Sequence, residues 1–275
     1  MTGPTIARLT NGDGCIWALG AQQGNDLALE ALAGALLQRW QRGDKLVVLG
    51  NMLGGAGDPG RALDLMLLLR RRLLATNLAC DVFFLRGAQE EMWHKLLGLQ
   101  FAMSPLSVLD WMLARGLAAT VETYGGNVED GRIACRAGPK AIARWTIGLR
   151  QAQMARAGHA ELLNSLMRAA LSADGTMLLS AAGVDATRPL DDQADAFWWN
   201  GQSDHALAAA LTRDGDAGWR RVTRLVRGTG PGEADDDRRV LTVTRQTPAL
   251  VALDAAGAVL ERIESPVTPS EARGL

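Results

Sequence analysis

Glutamine, asparagine and alanine stand in this chain where acids, bases or metal ligands would be sought. Short apolar runs end in glycine or small residues, and the residues after each run are the informative ones. Gly20-Ala21-Gln22-Gln23-Gly24 follows the first, Gly50-Asn51-Met52-Leu53-Gly54-Gly55 the second, and Gly87-Ala88-Gln89-Glu90-Glu91 the third. Ser180-Ala181-Ala182-Gly183 ends the fourth, and Arg245-Gln246-Thr247-Pro248 follows the fifth. Ligands collect beyond the carboxyl ends of strands in open α/β sheets, so these segments are where a site is expected. The glycines suit tight turns and close backbone approach. Among the side chains, Glu90 and Glu91 are the ionisable carboxylates, and both open a helix, whose dipole favours negative charge in any case.

Other reactive residues read more simply as structure. His94 (EMWHKLL) reads as a surface or rim residue of a helix, and His159 (RAGHAELL) lies near a helix start. His205 follows Asp204, but adjacent residues seldom face each other, and no GxSxG nucleophile elbow accompanies them. Arg86 is a candidate anion ligand beside the third turn, with a loop-holding ion pair as the simpler role. Tyr124 is a candidate cleft residue, with packing the simpler role. Arg70-Arg71-Arg72 reads as a solvated helix end. The eight tryptophans are many beside one tyrosine and four phenylalanines, and exposed ones among them would favour a protein interface.

The elements that must position these residues follow from pattern. Strands are expected at Cys15–Gly20, Lys45–Gly50, Asp81–Gly87, Thr176–Gly183, Val240–Thr244 and Ala249–Leu253, with a turn at Asp254–Gly257 into Ala258–Ile263. Asn25 is placed to cap a helix over Asp26–Arg42, with Leu29, Leu32, Leu36 and Trp40 on one face. Asp58-Pro59 starts a second helix running to Thr76, with Asn77 as its stop, and Ser104-Pro105 starts another running to Arg115. The helical section Pro139–Leu171 reads as an insertion, about residues 138–172. This alternation predicts an α/β core of mixed sheets. Gly228–Asp237 and Ser265–Leu275 read as a charged loop and a polar tail, leaving a single domain over 1–264.

Composition narrows the class further. The chain has 275 residues, 48% of them hydrophobic, enough for one full core. A formal net charge of −1 points to neither a nucleic-acid nor a membrane surface. No apolar run reaches the length of a membrane span, and the opening MTGPTIARLTNGDG lacks a signal-peptide pattern. Cys15, Cys80 and Cys135 are far apart and read as buried thiols of a cytoplasmic protein.

The order and spacing of the turns resemble the calcineurin-like metallophosphoesterases, in the bacterial serine/threonine protein phosphatase and diadenosine tetraphosphatase branch. GAQQG, GNMLGGAG, GAQE, SAAG and RQTP stand where that family has GDxHG, GDxxDRG, GNHE, HAG and GHTP. The flanks agree: VFFLRGAQEEMW, WMLARGLAATVETYG, AAGVDATRPLDDQADAFWW and TPALVALDAAGAVLERIE are similar to the family's corresponding stretches, from about residue 14 to 264. The resemblance implies an α/β fold, a two-sheet β-sandwich flanked by helices. It also implies two divalent metals, such as manganese or iron with zinc, which would activate a water and clamp phosphoryl oxygens. Matched residue by residue, the family's first aspartate and histidine fall on Ala21 and Gln23, and its bridging aspartate on Asn51. Its metal-binding asparagine falls on Ala88, its proton-donating histidine on Gln89, and its later histidine ligands on Ala181 and Gln246. The aspartate and arginine of DRG fall on Gly54 and Gly55. Neutral amides and methyl groups bind hard divalent ions poorly. The expectation is therefore a pseudophosphatase with no metal cofactor, acting as a binding, regulatory or structural subunit. Its expected partner is a protein or a second copy of itself, with a phosphorylated ligand at the old cleft as a further candidate. The alternative is a residual or re-purposed phosphoesterase of protein phosphatase or nucleotide hydrolase type.

Overall fold

Alternation along the strands decides how the layers are built. A computed structural model of the chain describes residues 6–55, 57–76, 80–212, 219–231 and 239–267. Its first half runs β1 (Ala7–Arg8), β2 (Ile16–Leu19), α1 (Asp26–Arg39), β3 (Lys45–Val48), α2 (Pro59–Thr76) and β4 (Val82–Phe84). A helical stretch follows: α3 (Ala88–Leu96), α4 (Pro105–Leu113), α5 (Ala118–Thr123), α6 (Val128–Ala137), α7 (Pro139–Ala155) and α8 (His159–Asn164). The chain then makes β5 (Ala170–Leu171), β6 (Met177–Ser180), α9 (Asp204–Thr212), β7 (Arg224–Thr229), β8 (Val240–Thr244), β9 (Ala249–Leu253) and β10 (Val259–Glu264).

The strands form two mixed five-stranded sheets, in the orders β10-β9-β2-β3-β4 and β1-β5-β6-β7-β8. Parallel pairing joins β2, β3 and β4, and likewise β6, β7 and β8. Ile16, Ala18, Val47 and Leu49 of the first sheet share a buried cluster with Leu179, Val226 and Val243 of the second, which packs the sheets face to face. Trp17, Leu19, Leu46 and Val48 point the other way, onto Leu29, Leu32 and Leu36 of α1 and Leu63 of α2. On the far side, Leu178 and Leu225 pack on Leu207 and Leu211 of α9. Strands buried on both faces read as unbroken apolar runs, which is why IWAL and KLVV carry no polar alternation. Each fully buried leucine contributes about 2 kcal/mol.

Several local signals operate as read. The Asn25 side chain accepts from the Ala28 amide at 2.9 Å and caps α1. Asp58 Oδ1 accepts from the Gly60 and Arg61 amides at 2.9 and 3.0 Å, ahead of Pro59 at the first helical position. Helix α1 ends at Arg39, short of Arg42, because Trp40 leaves helical geometry with ψ 125° and Asp44 ties the next turn by accepting from the Gln41 amide. Residues 138–172 contain α7, α8 and finally β5, and they pack into the main core, where Ile142, Leu149 and Leu162 join Leu29 and Leu63.

Other expectations change. β1, β5 and β7 are strands that the pattern did not single out, and Gly228 and Thr229, expected in a loop, complete β7. Ser265, expected to open a loose tail, is buried and donates its amide to the Pro248 carbonyl at 2.8 Å. Asn77, 232–237 and 268–275 lie outside the described residues. Cys15, Cys80 and Cys135 are free and half-buried rather than buried. Partial burial pushes each thiol pKa up, which favours the protonated form. Among the described residues no helix is long and apolar enough to cross a membrane.

Candidate functional site

The five turns converge at the carboxyl ends of the strands, knitted by backbone bonds. The Gln23 amide donates to the Asn51 carbonyl at 2.8 Å, and the Gly24 amide to that of Met52 at 3.0 Å. Thr229 donates its amide to the Ala181 carbonyl at 3.0 Å, and Thr244 Oγ1 donates to the Ala21 carbonyl at 3.1 Å. Asn51 Oδ1 accepts from the Gln89 amide at 3.1 Å. Gln23 and Asn51 hold left-handed backbone, with φ of 50° and 53°, which costs about 1 kcal/mol in a residue with a side chain. Two glycines are required by packing: a Cβ on Gly87 would meet the Asn51 amide nitrogen at 2.3 Å, and one on Gly54 would meet the Gln89 side chain at 2.3 Å.

Glu90 organises the second and third turns. It is buried, and its carboxylate accepts from the amides of Asn51 (2.8 Å), Met52 (2.7 Å), Leu53 (2.9 Å) and Gly87 (2.8 Å). Burial holds its pKa above the ordinary carboxylate range, against the downward pull of these four donors. Glu90 thus caps the start of α3 by accepting from the Gly87 amide, as a carboxylate that opens a helix is expected to do, and it also clamps the two loops together.

Two cavities flank the join. One of about 150 Å³ is lined by Ala21, Gln22, Gln23, Asn25, Arg245 and Gln246 among others. A shallower one of about 500 Å³ is lined by Asn51, Ala88, Ala182, Trp198, Trp199 and Asn200 among others. Thr229 lines both. Five of the seven matched positions therefore face one of these two cavities, and Gln89 and Ala181 line neither. Gln89 folds over Gly54 and donates Nε2 to the Arg115 carbonyl at 2.7 Å. Ala181 packs into the apolar cluster of Leu178 and Phe197, while its neighbour Ala182 faces the larger cavity.

This donor set does not fit the two divalent ions that the family resemblance implies. Such ions need anionic oxygens or imidazoles. Ala21, Ala88 and Ala181 have no donor atom, and the Asn51 side-chain oxygen is engaged by Gln89. Among the described residues, no three or more histidines, cysteines, aspartates or glutamates gather as a metal site. Glu90 does not substitute, because four amides occupy its oxygens.

The remaining candidates resolve into packing and ion pairs. Arg86 pairs with Glu91 at 2.9 Å and lies over the Trp198 ring at 5.9 Å. Tyr124 stacks on Trp93 at 4.9 Å, and its hydroxyl meets His159 Nδ1 at 2.9 Å. Burial raises the Tyr124 pKa, so the phenol stays protonated. The other nitrogen of the buried His159 meets Asp64 at 3.0 Å. Neither residue lines the cavities above. His94, His205 and the run Arg70–Arg72 are exposed.

Pattern reading missed one charged pair. Arg227 of β7 is fully buried, with its guanidinium 2.7 Å from Asp204 and donating to Thr242 Oγ1 (2.8 Å) and the carbonyls of Ala182 (3.1 Å) and Gln202 (2.8 Å). Burial lowers its pKa, and Asp204 opposes the shift. Asp204 thus faces Arg227, not His205. Of the tryptophans, Trp111 is 42% exposed and packs against Trp199, 5.5 Å between ring centres, at the edge of the larger cavity.

No protein-family model matches the chain, and no curated protein matches its sequence. Solved structures do match its fold. Hypothetical protein PH1004 from Pyrococcus horikoshii OT3 aligns at TM-score 0.53 and 14% identity, over 95% of this chain and 91% of that one. A protein serine/threonine phosphatase from Saccharomyces cerevisiae, with similarity to a human phosphatase, aligns at TM-score 0.52 and 13% identity, over 96% and 84%. At such identities the likeness concerns fold. The chain shares with these two structures a fold of two sheets packed face to face and flanked by helices.

Proposed function

We propose that the chain is a non-catalytic, phosphoesterase-like binding or regulatory subunit, a pseudophosphatase. The observation that carries this reading is the chemistry of the seven matched positions. Three alanines offer no ligand, Asn51 Oδ1 already accepts from the Gln89 backbone amide, and the amides and alanines together supply no anionic oxygen or imidazole. Among the described residues, no other cluster of acids, bases or nucleophiles faces either cavity. Its partner is proposed to be a protein or a second copy of the chain. The exposed Phe101, Met103 and Trp111, close together in sequence, support such a surface. A phosphorylated ligand at the old cleft remains compatible with the glycine-rich turns. Three separate free thiols suit a cytoplasmic setting.

The test is manganese loading, dialysis and metal analysis, together with assays on a phosphomonoester and a phosphodiester. The expected result is no stoichiometric metal and no turnover. Stoichiometric manganese, or turnover lost on changing Asn51 or Gln89, would sink the reading in favour of a re-purposed phosphoesterase of protein phosphatase or nucleotide hydrolase type.

A further inference from the structure

The smaller cavity is lined by two side-chain amides that each carry a polar atom with nothing to bond. Gln22 and Asn25 are each 2% exposed and both line it. Gln22 Oε1 and Asn25 Nδ2 have no hydrogen-bond partner among the described residues. The orientation of both amides is set by their other ends. Gln22 Nε2 faces the Gly20 carbonyl, which can only accept, and Asn25 Oδ1 faces the Ala28 amide, which can only donate. The orphaned atoms are therefore one acceptor and one donor. They belong to one tight turn: the Asn25 amide donates to the Gln22 carbonyl at 3.1 Å, and Gln23 and Gly24 between them both have positive φ. The ends of such a turn lie within about 7 Å of each other. A buried polar atom without a partner costs about 1–3 kcal/mol, so two on one turn call for an occupant.

The lining points to a neutral occupant. Among the described residues it includes no carboxylate that would attract a cation. Its charged member, Arg245, is already engaged within the chain. Gln22, Gln23, Asn25 and Gln246 are neutral amides. The volume of about 150 Å³ is well beyond a single water. An apolar cavity of roughly that volume holds benzene, about six non-hydrogen atoms.

We propose that this cavity binds a small neutral carboxamide, whose N–H donates to Gln22 Oε1 and whose carbonyl accepts from Asn25 Nδ2. The inference rests on the non-catalytic reading above, because a metal pair would draw on the same turns. Isobutyramide is the probe, with isobutyrate, of the same shape but anionic and without the donor, and inorganic phosphate as controls. Isobutyramide should give saturable shifts in the protein NMR spectrum, including the Asn25 side-chain resonances, with a dissociation constant of about 1 mM or tighter. Neither control should match it. The Asn25→Asp variant keeps the cap on Ala28 but replaces the donor with an anion. It should unfold in urea like the parent and bind isobutyramide at least about tenfold more weakly.

Absence of saturable isobutyramide binding overturns the proposal. So does equal or tighter binding of isobutyrate or phosphate, or unchanged affinity in a folded Asn25→Asp. The two readings fail separately. Stoichiometric manganese sinks the non-catalytic reading before any amide is added, whereas metal-free protein that ignores isobutyramide sinks only the amide site.

Discussion

Glu90 shows at the scale of one residue what composition hides. A glutamate at the third position of a helix is ordinarily read as favouring the dipole, and its position in α3 is plain from the sequence. Its contacts with Asn51, Met52 and Leu53 cross almost forty positions of chain, and no local pattern encodes them. That Ala21, Gln23, Asn51, Ala88 and Gln246 carry no acid or imidazole was legible, because residue type alone decides it. That Gln89 fills the space above Gly54, and that Ala181 packs among Leu178 and Phe197, are products of the tertiary fold that no local pattern encodes. Glu90→Gln tests the clamp. The amide keeps the shape, yet its NH₂ would point at backbone N–H groups where an oxygen now accepts two of them. Stability should fall by about 2–3 kcal/mol, read as a lower urea midpoint with an unchanged slope.

Among the elements, those that pattern finds most readily are buried on both faces or start with a cap. β2, β3 and β9 are continuous apolar runs, and α1 and α2 open on Asn25 and Asp58. β7 escapes because RLVRGT carries two arginines and a glycine, which read as surface or loop. The strand survives because Asp204 at the start of α9 and three further acceptors satisfy Arg227 inside the fold. Removing one partner leaves a buried charge, so Asp204→Ala should destabilise by about 3–5 kcal/mol in denaturant unfolding. The short strands β5 and β6 depend on the turn between them. Asp174 there accepts from Ser172 Oγ at 2.5 Å and from Thr176, which lowers its pKa. A carboxylate whose folded pKa is depressed stabilises above its unfolded value, about 3.9, and that contribution is lost as pH falls through the folded value. Urea midpoints of the parent and Asp174→Asn should therefore differ at pH 6 and converge as pH falls below about 3.9. A constant difference across that range would assign the turn's stability to something other than this charge.

At the scale of the whole molecule, four layers separate what holds the turns in place from what the turns carry. The sheet–sheet cluster and the two helix-facing clusters hold the strands in place through apolar side chains, most of which lie apart from the two cavities. Residues in the turns beyond the strand ends are therefore free to change without loss of the fold. The proposed binding role needs a surface, and the outer helices offer one. Phe101 and Met103 are 86% and 102% exposed, and Trp111 follows in α4. Large apolar groups so exposed add little to folding. Replacing Phe101 and Met103 together by lysine should leave unfolding within about 0.5 kcal/mol of the parent. The same double variant should lose self-association in sedimentation velocity, or capture of its protein partner from native cells, if this segment is the docking surface. Association unchanged in the double variant would move the interface elsewhere, and a large loss of stability would show that the two side chains serve the core after all.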